Sequence, residues 1–64
     1  MNIDALTADA ANIMNGLSEC WSAEAAITHT ADTLVRIHPG INRETALAVA
    51  EQAERLLHRI AASS

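Results

Sequence analysis

The chain's one proline and one of its two glycines sit together in His38-Pro39-Gly40, between two alanine-rich stretches of helical periodicity. Proline drives the residue before it out of the α region, and glycine accepts a positive φ at little cost. His38 to Ile41 therefore has the residues of a tight type II reversal. Two helices joined by so short a turn must run back along each other. The expected fold is all-α, a helical hairpin with its turn at 38–41.

The helix after the turn has the clearest pattern. Asn42 is a good N-cap, Ile41 can staple onto Ala46, and Glu44 falls in the first turn, which places the start at Arg43. Ala46, Val49, Ala50, Ala53, Leu56, Leu57 and Ile60 then share one side, with Glu44, Glu51, Arg55 and Arg59 opposite. Glu51 stands four residues before Arg55, the favourable order for an exposed ion pair. Before the turn, Ile27, Ala31, Leu34 and Val35 form the inward face of a helix that ends at Ile37.

At the start of the chain, Leu6, Ala10, Ile13 and Leu17 recur at spacings of three and four behind Asp4, a capping residue type. Asn15-Gly16 interrupts them. Either Gly16 is the left-handed residue after a helix end and Ser18 or Ser22 caps a new helix, or one long helix tolerates the glycine for about 1 kcal/mol. A continuous helix would bury Glu24 in the middle of its apolar stripe. A break near residues 16–22 instead puts Glu24 in the first turns of the next helix, where negative charge is favoured. The break or kink is the preferred reading. It gives a shorter or kinked N-terminal helix, with the second helix starting near residue 19 or 23. Order is expected throughout except at Ala61 to Ser64.

A chain of 64 residues forms a single domain, 1–64. Half its residues are apolar, but fourteen of these are alanine and Trp21 is the only aromatic. So thin a supply of large side chains calls for help from outside the chain, and the lone Cys20 cannot form an internal disulfide. Alanine lets helix axes approach closely. The expectation is therefore a homodimeric helix bundle, each copy covering the other's alanine and leucine stripes. Four arginines, no lysine and eight carboxylates give a net charge of −4, which disfavours nucleic acid as a partner. No apolar run approaches the ~18–20 residues of a membrane span, and the first residues lack a basic start followed by an apolar block. The unpaired cysteine fits a reducing compartment, so the expected setting is cytoplasmic, without membrane attachment.

The segment from Val35 to Leu57 contains Pro39-Gly40-Ile41, then Glu44-Thr45-Ala46-Leu47, then Leu56-Leu57. It resembles a stretch of short uncharacterised bacterial helical proteins, which read as a hydrophobic residue, Pro-Gly, Ile or Val, Glu-x-Ala-Leu and a leucine pair. The likeness covers about a third of the chain. It implies a bacterial or bacteriophage setting and carries no catalytic assignment.

Several residues invite a chemical reading. Glu51, Glu54 and His58 lie along one flank of the last helix, and Glu54 to His58 is an i, i+4 pair able to hold one ion. Di-iron bundles use Glu-x-x-His with further inward glutamates, a spacing this chain lacks. His29 and Asp32 form a second pair, away from the packing stripe, and salt bridging at the surface accounts for both. Cys20 lies on the apolar stripe without a Cys-His signature and reads as a small buried hydrophobe. There is no Gly-x-Ser-x-Gly elbow and no phosphate-cradling glycine loop. His38 reads as an exposed turn residue.

Trp21 is either the main packing anchor of the core or self-association seam, the favoured reading, or an exposed binding hot spot. Leu47 stands off the main apolar arc beside Glu51, Glu54 and His58, and these could flank a partner groove. The expectation is thus a protein without enzyme activity, cofactor or metal. It would be a small regulator, adaptor or inhibitor, acting as a homodimer on a larger protein through Trp21, Leu47, Glu51, Glu54 and His58. Two alternatives remain. One is a helix-turn-helix-like DNA-binding regulator whose Arg43, Arg55 and Arg59 hold phosphates; the other is a metal-binding helix bundle.

Overall fold

The computed structural model describes residues 2–17 and 21–63. They form a three-helix bundle: α1 (Ile3–Asn15), α2 (Ala23–Ile37) and α3 (Arg43–Ser63). The chain does break between α1 and α2, and Glu24 lies exposed in the first turn of α2. Ser18, expected as a cap, and Cys20, expected as a small buried hydrophobe, fall outside the described residues.

Side chains start each helix by taking up N–H groups that have no partner within it. The Ser22 hydroxyl accepts from the N–H of Ala25 at 3.1 Å, and Asn42 Oδ1 accepts from Thr45 at 2.7 Å. At α1 the cap is Asn2, not Asp4. Asn2 Oδ1 accepts from the N–H groups of both Asp4 and Ala5, and Asp4 then serves as the acidic residue of the first turn.

The hairpin turn is where the sequence places it. The Ile41 N–H donates to the His38 carbonyl at 3.1 Å, and His38 is extended at φ −125°, as a residue before proline must be. The turn is not type II, however, because neither glycine has a positive φ. A type I path closes the same hydrogen bond with negative φ at both central residues. Gly16 likewise ends α1 in right-handed geometry, at φ −84° and ψ −7°, with N–H groups of Gly16 and Leu17 donating three residues back. The last turn of α1 tightens and no left-handed cap is needed.

The core joins Leu6, Ala10 and Met14 of α1, Ala31 and Leu34 of α2, and Ala46, Val49, Ala50 and Ala53 of α3, closed at the turn by Ile41. Ala10, Ala31, Ala46, Ala50 and Ala53 are all fully buried. The stripe that the composition assigned to a second copy is thus covered within one chain, because α1 folds over the hairpin and small side chains bring the helices close. The periodicity missed two polar members, Thr7 and Thr30. Thr7 donates to the Ile3 carbonyl at 2.8 Å, whereas the Thr30 hydroxyl has no partner.

Helix lengths set the shape. At ~1.5 Å per residue α3 is about 31 Å long, and it spans most of the molecule's 35 Å long axis. By the same rise α1 and α2 reach only about 20 and 22 Å. The end of α3 therefore outruns its cover. Leu56 is 41% and Ile60 56% exposed, although both stand on the side read as inward. Helix also continues through Ala61 to Ser63, where order was not expected. Among the described residues no helix is long and apolar enough to cross a membrane.

Candidate interaction site

Trp21 is not in the core. It is 42% exposed and lies along the outer face of α2, its ring 5.0 Å from that of His29 and inclined at 52°. Together with Glu24, Ala25, Thr28 and Asp32 the two rings line an open groove of about 460 Å³. The indole cannot anchor the core because α2 begins two residues later, and the inward positions of that helix are already filled by Thr30, Ala31 and Leu34.

The other residues expected at a partner site lie on one flank of α3. Leu47 is half-buried and packed against the core, and Glu54 is half-buried too, while Glu51 and His58 are exposed. Leu47 is therefore partly a packing residue and offers less free surface than its place off the apolar arc implied. The structure keeps two groups apart by element: Trp21 and its groove on α2, and the remaining four on α3. Among the described residues no three His, Cys, Asp or Glu side chains are placed to share a metal ion, so Glu54 and His58 have no third ligand beside them.

Two side-chain contacts tie the elements together. His38 Nε2 lies 3.0 Å from Asp9 Oδ2, linking the turn to α1, so His38 is half-buried rather than a free turn residue. Arg43 pairs with Asp32 across the hairpin. Sequence reasoning missed both contacts, since neither partner lies within one helical turn of the other. The ion pair expected between Glu51 and Arg55 is not formed. Such an exposed pair is worth only a few tenths of a kcal/mol, too little to hold two solvated side chains together.

Two further grooves stand out. One, of about 370 Å³, lies at the turn end and is lined by Ala5 and Leu6 of α1 together with Ile37, Pro39 and Ile41. No carboxylate and no arginine lines it, and His38, also on its wall, faces Asp9. Ile37 on its rim is 52% exposed. The other, of about 340 Å³, lies between α1 and α3 and is lined by Thr7, Gln52, Arg55, Leu56 and Arg59. No protein-family model, curated protein or solved structure compared with the chain matches it.

Proposed function

We propose that the protein is a non-catalytic protein-binding module. It works in the cytoplasm as a homodimer and acts as a small regulator, adaptor or inhibitor of a larger protein, in the bacterial or phage setting that its turn segment resembles. The observation that carries this reading is the largely apolar groove at the turn end, lined by no carboxylate and no arginine, with Ile37 exposed beside it. A twofold contact brings a patch against its own copy, so it suits a surface free of net charge, where no like charges meet. Ile37 of each copy can fill the groove of the other without disturbing either core. Trp21 and the flank of Leu47, Glu51, Glu54 and His58 stay outside that contact and are available to the larger partner. Tryptophan is a frequent hot-spot residue, and the acidic flank serves selectivity and encounter rate.

Sedimentation equilibrium tests the reading. The wild-type chain is expected as a dimer at micromolar concentration, and Ile37→Asp as a monomer of unchanged helicity, since the side chain lies outside the core. A wild-type chain that sediments as a monomer at all accessible concentrations would overturn the dimer.

A further inference from the structure

We infer that the groove between α1 and α3 receives an acidic segment of the larger protein partner, with Arg55 and Arg59 each taking a carboxylate and Leu56 contacting the apolar side of that segment. The assignment rests on the protein-binding reading above and names the chemistry of the partner. The chain has four cationic side chains against eight carboxylates. Arg43 pairs with Asp32, yet Arg55 and Arg59 stand one turn apart on α3 with no carboxylate partner among the described residues. Both line the same groove.

Residues four apart on a helix hold their Cβ atoms about 5–6 Å from each other. The two guanidiniums therefore match two carboxylates one turn apart on a partner helix. Arginine's planar fork engages a carboxylate through two parallel hydrogen bonds, which fixes orientation as well as charge. Between them Leu56, 41% exposed, supplies the apolar contact. Gln52 adds an amide, and the Thr7 hydroxyl already gives its proton to Ile3, so Thr7 serves as wall.

Charge separates this occupant from two others. A second copy docked here about a twofold axis would set Arg55 and Arg59 against their own equivalents, four like charges around one seam. The groove at the turn end, lined by no arginine and no carboxylate, has no such conflict. Nucleic acid is disfavoured because its affinity grows with the number of phosphates neutralised. Two arginines on a chain of net charge −4, with Glu51 one turn from Arg55, offer too few.

The probe is a blocked helical peptide of alanine and leucine with two glutamates four residues apart, added to isotope-labelled full-length protein. Saturable shifts are expected at the side-chain Nε–H signals of Arg55 and Arg59 and at the Leu56 methyls, with Arg36 and Arg43 as unmoved controls. The glutamine version of the peptide should leave all of them in place. Arg55→Gln and Arg59→Gln should each weaken binding roughly threefold with helicity unchanged. The assignment is overturned if nothing shifts, if the glutamine peptide acts equally, or if duplex DNA or inorganic phosphate binds more tightly than the glutamate peptide. Concentration-dependent polymers that vanish in the double variant would transfer the groove to a second copy and also overturn it. A chain that dimerises yet ignores the peptide loses this assignment and keeps the protein-binding reading.

Discussion

Thr30 is the side chain least suited to its surroundings, fully buried with a hydroxyl that meets no partner. Burying a polar group without a hydrogen bond opposes folding, and valine has the same shape without the hydroxyl. Thr30→Val should raise stability by about 1 kcal/mol, read from urea denaturation, and a lower midpoint would show that the hydroxyl is satisfied. Trp21 makes the opposite case. A buried indole replaced by alanine costs about 3–5 kcal/mol, but one lying on the outer face of α2 should cost about 1 kcal/mol or less. Equal melting of Trp21→Ala and wild type fits that placement, and a loss of several kcal/mol contradicts it. Pattern left Thr30 unplaced and favoured the core or self-association seam for Trp21 over an exposed position, whereas the ring lies outside the core. Threonine reads as polar whichever face it takes, and a tryptophan outside any helix has no periodicity to locate it.

The helix starts were more legible than the turns, because a cap is local chemistry. Asn42 and Ser22 each reach the N–H three residues on, as their positions imply, and Asn2 displaces Asp4 because it sits just ahead of the first helical turn. Turn type depends instead on the direction in which the next helix must leave, which no four-residue segment encodes. His38-Pro39-Gly40 marks the reversal correctly while leaving the φ of Gly40 undetermined. With that φ outside the left-handed region and open space where a Cβ would stand, Gly40→Ala should be tolerated and stabilise by up to about 1 kcal/mol through the unfolded chain. Thermal melting checks this, and a clear loss of stability would restore a left-handed turn.

Across the whole molecule, periodicity told which face of each helix is covered but not by what. The alanine side of α3 was legible to Ala53. Beyond it Leu57 still packs against the core, whereas Leu56 opens on the groove beside Thr7 and Ile60 is exposed, and which neighbour covers a position is a relation between elements that one helix cannot report. The fully buried alanines set the spacing of all three helices, so Ala50→Leu should destabilise by about 1–3 kcal/mol by forcing them apart, seen as a lower melting temperature. An unchanged melt would mean that the core has slack. The place of the indole also shapes how the molecule looks in the spectrometer. As the one tryptophan in a chain without tyrosine or phenylalanine, it accounts for essentially all aromatic emission, and water already reaches it in the native state. Heating should barely redden that glow while the far-ultraviolet helical signal collapses, so the bundle comes apart almost invisibly to its own fluorophore.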